Sequence, residues 1–263
     1  MKLTTEKLNE LSSGVIYWIR KNMEAIGAKR AVIGISGGKD STVTASLCAL
    51  ALGPENVYGL IMPDGDQEDL KDAIEICNKF GINCHVINIS NTVKAIKTGV
   101  SETGLELSKQ TTLNIPPRVR MTTLYAYAQS LDSALVINTS NLSEDWVGYA
   151  TVYGDTAGAF SPLATLTSDE VIQIGRNLGI EEKYIIKPPA DGLTGKTDEE
   201  ILGFSYEVLN RYLRTGEIED QKTKEIIDRM HRISRFKFNR IPMYNSGLEI
   251  LAKEESDVYS SLE

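Results

Sequence analysis

The chain has 263 residues, 41% of them hydrophobic, which is enough for one large domain with an ample core. Its 28 basic and 36 acidic residues give a net charge of −8, and this balance argues against general binding to nucleic acids or anionic membranes. No apolar stretch approaches the length of a membrane span, the N-terminus lacks the pattern of a signal peptide, and the three cysteines lack a metal-ligand spacing. We therefore expect a cytoplasmic protein with reduced thiols.

The hydrophobic pattern alternates between helical and strand-like segments along the chain, beginning with an amphipathic helix over 4–27. The predicted strands are 31–35, 57–62, 84–89 and 134–138, and the predicted helices between and after them are 40–52, 66–80, 91–100 and 117–130. This order predicts an α/β fold, with a doubly wound, mainly parallel sheet and helices on both faces. Ligands of such folds bind at the carboxyl ends of the strands.

A glycine turn joins the first predicted strand to the helix that follows it. Its residues are Ser36, Gly37, Gly38, Lys39, Asp40 and Ser41. The glycines let the backbone approach a ligand, and the helix start adds unpaired N–H groups and the positive end of its dipole. The adjacent glycines exclude a Walker A loop, which needs four residues between them. The turn therefore predicts a phosphate site, and the alternative is a β-turn with an Asp helix cap.

This turn resembles the Ser-Gly-Gly-x-Asp-Ser loop of the ATP pyrophosphatases, which split ATP between its α and β phosphates. The resemblance implies that the serine hydroxyls and glycine amides of the turn hold the leaving pyrophosphate. It also implies that Asp40 helps to hold Mg²⁺, because a carboxylate beside a polyanion needs a cation between them. Lys39 would add positive charge beside the pyrophosphate.

Further segments narrow the resemblance to one family of these enzymes. They run from Asn114 to Met121, from Asn138 to Glu144, over Tyr153-Gly154-Asp155, and from Pro188 to Tyr206. Their order is similar to that of the NAD synthetases, in which an Asn precedes Arg-x-Arg-Met, a Thr precedes a Glu by five residues, and a Tyr-Gly-Asp loop follows. The resemblance covers most of residues 10–242 and implies the adenine nucleotide alpha hydrolase-like fold.

The resemblance assigns roles at the ATP side of the site. Thr139 and the backbone near Met62 would bind ATP together with the glycine turn. Glu144 would join Asp40 in holding Mg²⁺, since two carboxylates can offset the charge of a cation bound to phosphates. Asp155 would lie in a mobile loop that closes over the reacting centre, and with Asp40 it would be catalytic.

On the acid side, the resemblance implies that Arg118 binds the dinucleotide, and an Arg fork suits phosphate or carboxylate. Lys237 is a candidate substitute for a basic residue of the family. The chain also departs from the family pattern, and the departures cluster on this side. They are Val152, Ala159, Ser168, Ala190 and Phe238.

The resemblance implies a ligase that adenylates the nicotinate carboxylate of deamido-NAD with ATP and then lets ammonia displace AMP. Its partners would be ATP, deamido-NAD, ammonia and a second copy of the chain in a homodimer. Two alternatives stay open: an amide ligase for a different carboxylate, and a nucleotide-binding homologue that has lost turnover. The retained carboxylates of Asp40 and Glu144 argue against the second.

We expect a single domain over 1–263. It comprises the N-terminal helix, a core at about 30–190, a C-terminal helical region at about 197–242 and an acidic tail at 243–263. Only some thirty residues precede the first predicted strand, so we expect no glutaminase domain. Free ammonia, or ammonia delivered by another protein, would be the nitrogen source.

Overall fold

The computed structural model describes residues 2–65, 70–186 and 197–248. Its sheet has four parallel strands in the order β3 (Asn83–Val86), β2 (Val57–Ile61), β1 (Arg30–Gly34), β4 (Ala134–Val136). The chain adds β2 and β3 on one side of β1 and then crosses to add β4 on the other. Such a reversal is a switch point, where the loops after the two strands diverge and leave a crevice. The residues that follow β1 and β4 therefore face a common crevice.

Eleven α-helices surround the sheet in the part of the chain that the structure describes. They are α1 (Thr5–Ile26), α2 (Lys39–Leu52), α3 (Leu70–Phe80), α4 (Ser90–Ser101), α5 (Lys109–Ser130), α6 (Leu142–Val147), α7 (Ser168–Asn177), α8 (Glu182–Ile185), α9 (Asp198–Leu202), α10 (Tyr206–Thr215) and α11 (Gln221–Ser234). Single 3₁₀ turns cover Pro54–Asn56 and Arg235–Lys237. None of the described helices is long and apolar enough to cross a membrane.

Alternating side chains of the strands bury both faces of the sheet. Ile33 of β1 packs in a core with α1, α2, α3 and α7, whereas Val32 packs in a second core with α4 and α5. Both strand residues are fully buried. Strands with two buried faces read as continuous apolar runs, which is why the sequence revealed them. The doubly wound α/β fold with helices on both faces is confirmed.

The largest error in the sequence-based elements concerns α5, which begins at Lys109 rather than at 117. Ser108 caps this helix by accepting a hydrogen bond from the Thr111 amide, and Pro116 and Pro117 lie inside the helix. Proline removes a backbone donor and destabilises a helix interior, so the sequence pattern places Pro116 and Pro117 at the first turn of a helix. All four described strands also end earlier than predicted, and the predicted helix start at 66–69 lies outside the described residues.

The segment after α6 returns to the free edge of β4. The Ala159 amide donates to the Val136 carbonyl at 2.8 Å, and the Asn138 amide donates to the Phe160 carbonyl at 3.1 Å. A Cβ atom at Gly158 would lie 2.7 Å from the Asn138 amide nitrogen, so only glycine permits this approach. The loop that carries Asp155 is thus fastened beside the carboxyl end of β4.

The C-terminal helices form a satellite core against α6. Its fully or nearly buried members include Val147 of α6, Leu209 of α10 and Ile227 of α11. Most of the predicted acidic tail at 243–263 lies outside the described residues, as do residues 187–196.

A buried ion pair connects this helical layer to the main core. Arg214 of α10 binds both carboxylate oxygens of Glu170 in α7, with Nε at 2.7 Å and Nη2 at 2.5 Å. Glu170 is 5% exposed and also accepts from the Thr167 amide at 2.8 Å in the capping box of α7. Although burial alone would raise the pKa of Glu170, the bonds from Arg214 and Thr167 outweigh it and hold that pKa below its usual range.

We expect Arg214→Ala to lower the free energy of unfolding by about 2–3 kcal/mol, because the Glu170 carboxylate would stay buried without its cation. The matched control is Arg211→Ala in the same helix, whose pair with Glu219 is largely exposed. This control should cost less than about 1 kcal/mol. Urea unfolding of both variants measures the difference, and equal losses would refute an anchoring role for the buried pair.

Candidate functional site

The predicted phosphate turn lies directly beyond the carboxyl end of β1. Gly37 has a φ of 83°, a left-handed conformation that glycine adopts without strain. The Ser36 and Ser41 hydroxyls are 3.1 Å apart, and the Gly38 amide donates to Ser36 Oγ at 3.2 Å. Gly38 is the N-cap of α2, and no side chain caps this helix. The turn therefore presents hydroxyls and a helix N-terminus to the crevice, as an anion site requires.

Two carboxylates from distant parts of the chain meet beside this turn. Asp40, in the first turn of α2, and Glu144, in the first turn of α6, face the same ammonium group. The Nζ atom of Lys39 lies 2.8 Å from Asp40 Oδ2 and 3.5 Å from Glu144 Oε1. The Lys39 residue is 7% exposed, so the three charges interact in a largely dry environment.

Asn141 fixes the relative positions of the Asp40 and Glu144 carboxylates. Its side-chain oxygen accepts from the amides of Ser143 and Glu144, at 3.0 and 3.2 Å, and so caps α6. Its side-chain nitrogen donates to Asp40 Oδ1 at 3.0 Å. Sequence reasoning assigned no role to Asn141, although an Asn before two acidic residues is a helix-start signal. One fully buried side chain thus fixes the second helix and orients the first carboxylate.

The electrostatics of this cluster follow from burial and from the close pair. Burial raises the pKa of Glu144 to about 8, and repulsion from Asp40 adds to the shift, while Lys39 opposes it. Burial by itself would lower the pKa of Lys39, but attraction to Asp40 and Glu144 outweighs it and raises that pKa above its usual value. The Tyr206 ring centroid lies 6.0 Å from Lys39 Nζ and closes the cluster on another side.

The donor set fits Mg²⁺. No group of three or more His, Cys, Asp or Glu side chains within 2–65, 70–186 and 197–248 forms a metal cage. Mg²⁺ is usually bound through one or two carboxylates, with phosphate oxygens and water as the remaining ligands. Asp40 and Glu144 supply that number of hard oxygen donors next to a phosphate turn.

The residues at the end of β4 link the turn to the Tyr-Gly-Asp loop. Thr139 is half-buried in the crevice after β4. Asn138 donates to the Asp155 carbonyl at 2.7 Å, and one Asp155 carboxylate oxygen accepts from the Thr151 amide. The structure therefore places Asp155 near β4, with its carboxylate folded back on its own loop rather than bonded to the carboxylate pair.

The two arginines of α5 differ in position. Arg118 is exposed, and its Nε donates to the Val152 carbonyl at 3.1 Å. Arg120 is half-buried, and its Nε donates to the Met62 carbonyl at 3.0 Å. Burial lowers the pKa of Arg120, and attraction to Asp64 and Asp155 opposes this shift. Arg120 is thus the arginine that connects the end of β2 to the Tyr-Gly-Asp loop.

Lys237 binds the end of α6. Its Nζ donates to the carbonyls of Gly148 and Ala150, at 2.8 and 2.7 Å. Burial lowers the pKa of Lys237, opposed by attraction to Asp155. It also lines a polar cavity of about 320 Å³. The other lining residues are Asn138, Ser140, Asp145, Thr156, Ser161, Ala164, Phe238 and Asn239.

The departures noted in the sequence have separate structural settings. Ser168 is buried at the start of α7, where Asn210 donates to its hydroxyl at 3.1 Å and where its amide donates to Ser143 Oγ at 2.9 Å. It therefore serves helix packing. Ala159 is exposed and tied by its backbone to β4, and Ala190 lies outside the described residues.

The model of the NAD synthase family matches residues 11–247. The NH₃-dependent NAD⁺ synthetase of Thermococcus sibiricus is 41% identical over 76% of this chain and 77% of its own length. That of Carboxydothermus hydrogenoformans is 38% identical over 89% and 96%.

Two solved structures have folds similar to that of this chain. The NMN synthetase of Francisella tularensis superposes with a TM-score of 0.83 at 31% identity, over 93% of this chain and all of that one. The NH₃-dependent NAD synthetase of Campylobacter jejuni superposes with a TM-score of 0.74 at 27% identity, again over 93% and 100%.

The raised pKa of Glu144 predicts how stability depends on pH without Mg²⁺. The ordinary pKa of this carboxyl is 4.5. Between pH 4.5 and about 8 the folded protein keeps a proton that the unfolded chain releases, so the free energy of unfolding falls as pH rises. Glu144→Gln removes this contribution.

We therefore expect a shallower fall for Glu144→Gln than for the parent protein between pH 5 and pH 8, and greater stability than the parent at pH 8. Urea unfolding in a chelating buffer at four pH values measures both quantities. Glu106→Gln, at an exposed position, is the control and should follow the parent. A Glu144→Gln curve parallel to that of the parent would show that this carboxyl does not carry the dependence.

Proposed function

The chain belongs to the NAD synthase family, and we propose that it is an ammonia-dependent NAD synthetase, a ligase that forms a carbon–nitrogen bond. The nicotinate carboxylate of deamido-NAD attacks the α-phosphorus of ATP, and pyrophosphate leaves. Ammonia then attacks the acyl carbon of the adenylate, and AMP leaves. The products are NAD, AMP and pyrophosphate.

One observation carries this proposal: the Asp40 and Glu144 carboxylates meet beside the Ser36–Ser41 turn at the switch point of the sheet. The turn offers amides and hydroxyls to the β and γ phosphates, and backbone donors of this kind stabilise charge that develops on a leaving group. A binding module for a nucleotide needs no pair of half-buried carboxylates beside its phosphates, because their repulsion is costly. The pair therefore favours turnover over binding alone.

Asp40 and Glu144 would hold Mg²⁺ together with the phosphates. When bound, this ion neutralises phosphate charge and makes pyrophosphate a better leaving group. Thr139 and the backbone near Met62 would place the rest of the ATP, and Arg120 binds the Met62 carbonyl there. Alignment of carboxylate and phosphorus would supply much of the rate.

The acid would bind on the side of the Tyr-Gly-Asp loop. Arg118 and Asp155 are exposed there, and Lys237 attracts the Asp155 carboxylate. We assign Arg118 to the phosphates of the dinucleotide, Asp155 to closure of the loop and Lys237 to the polar cavity beside it. Because Arg120 also reaches this loop, its cation would support the bound acid.

The chain would act as a homodimer in the cytoplasm, as a single domain over 1–263. Exposed apolar side chains on α1, including Tyr17 at 62% and Ile26 at 56%, support a second copy as partner. Cys48, Cys77 and Cys84 are free thiols, which suits a reducing compartment.

The NMN synthetase of Francisella tularensis favours a second candidate, amidation of nicotinate mononucleotide. That structure superposes on this chain with a higher TM-score than the Campylobacter jejuni NAD synthetase. Ala159 also presents only a methyl group where the resemblance expects an Asp that contacts the dinucleotide. A smaller acid that does not reach this position would lose no contact through the replacement of Asp by Ala.

The test supplies ATP, Mg²⁺ and ammonia with either deamido-NAD or nicotinate mononucleotide and measures AMP, pyrophosphate and the amide. We expect one AMP per amide and a higher kcat/KM for deamido-NAD. A higher kcat/KM for the mononucleotide would transfer the assignment to the second candidate. Release of ADP, or of no nucleotide product with either acid, would contradict both.

Asp40→Asn should lower kcat about 100-fold or more while the fold persists, because it removes one carboxylate from the cation site and keeps the size of the side chain. Asp132→Asn is the control, because Asp132 is 88% exposed at the amino-terminal end of β4. It should leave kcat unchanged. A fully active Asp40→Asn enzyme would remove Asp40 from the cation site.

A further inference from the structure

Lys39 occupies the space between the two carboxylates of the cluster. Its Nζ is 2.8 Å from Asp40 Oδ2 and 3.5 Å from Glu144 Oε1, and the ring of Tyr206 lies on another side at 6.0 Å. The residue is only 7% exposed. The ammonium is therefore enclosed by the oxygens that the proposed function gives to Mg²⁺.

The Lys39 ammonium and Mg²⁺ cannot both bind these carboxylate oxygens tightly at the same time. Mg²⁺ coordinates its oxygen ligands at about 2.0–2.1 Å. A carboxylate oxygen that is bound to the Lys39 ammonium is therefore not available to the metal. An ammonium in contact with the same two carboxylates would also repel a dication strongly, because little water screens the cluster. Binding of Mg²⁺ to Asp40 and Glu144 therefore requires the Lys39 side chain to move away.

The chain offers this side chain a second position. Lys39 is the first residue of α2, and its backbone belongs to the phosphate turn between Gly38 and Asp40. A four-carbon stem can turn from the carboxylates to phosphates bound in the same turn. The ammonium would then leave two carboxylates and meet the pyrophosphate part of ATP.

We propose that Lys39 is a built-in competitor of Mg²⁺, displaced from Asp40 and Glu144 only when the phosphates of ATP accept its charge. The inference rests on the proposed function, since it takes the metal role of these carboxylates from it. Its consequence is a coupling between metal and nucleotide: each binds better when the other is present. Such couplings typically change affinity by about 5- to 150-fold.

The test uses Mn²⁺ as a paramagnetic probe of the metal site and α,β-methylene-ATP as a nucleotide that resists cleavage. We expect Lys39→Met to bind Mn²⁺ without nucleotide about tenfold more tightly than the parent, because the competing ammonium is gone. The same variant should bind α,β-methylene-ATP more weakly at saturating Mg²⁺, because the displaced ammonium no longer meets the phosphates. Electron paramagnetic resonance and calorimetry measure the two affinities.

Lys183→Met is the matched control. Lys183 also lies near two carboxylates, 2.8 Å from Glu75 and 3.9 Å from Glu181, and near a tyrosine ring, but its side chain is 52% exposed. This variant should change neither affinity. Lys39→Gln keeps an uncharged donor beside the carboxylates and repeats the test if the Met variant does not fold.

Two results would overturn the inference, and they are distinguishable. If Lys39→Met and Lys39→Gln leave Mn²⁺ affinity unchanged while Asp40→Asn lowers it, the metal site stands and the competition is wrong. If adding Asp40→Asn or Glu144→Gln to Lys39→Met leaves Mn²⁺ affinity unchanged, the metal assignment of the proposed function fails as well.

Discussion

The contact between the first turns of α2 and α6 is the constraint on which the site depends. Asn141 caps α6 and at the same time binds Asp40 at the start of α2. This one side chain brings the glycine turn and a second carboxylate together at the switch point between β1 and β4. Without the contact, the turn after β1 would have a lone acidic residue beside it.

The cluster of Asp40, Glu144 and Lys39 destabilises the fold, and the same imbalance of charge underlies its chemistry. Two half-buried carboxylates repel each other, and one ammonium lies between them. The fold tolerates this charge imbalance because the surrounding layers are well packed and Asn141 satisfies one oxygen of Asp40. A cation bound between the two carboxylates, as in the proposed function, would relieve this repulsion.

The sequence predicted those features that depend on neighbouring residues. β1 and β2 were visible because both of their faces are buried, and the glycine turn was visible because its residues are contiguous. The start of α5 was not predicted correctly, because Pro116 and Pro117 lie inside this helix and proline normally marks a helix end or beginning. The six-residue α6 is too short to show a period. The second role of Asn141 depends on a partner 101 positions away, which no local pattern reveals.

In the proposed reaction, ATP is cleaved between its α and β phosphates when an acyl adenylate forms. Exchange of labelled pyrophosphate into ATP, without ammonia, tests it most directly, because only a reversible adenylation returns the label. We expect label in ATP when deamido-NAD and Mg²⁺ are both present, and none when the acid is omitted. Absence of exchange with deamido-NAD or nicotinate mononucleotide, together with amide formation on adding ammonia and release of ADP and phosphate, would contradict it.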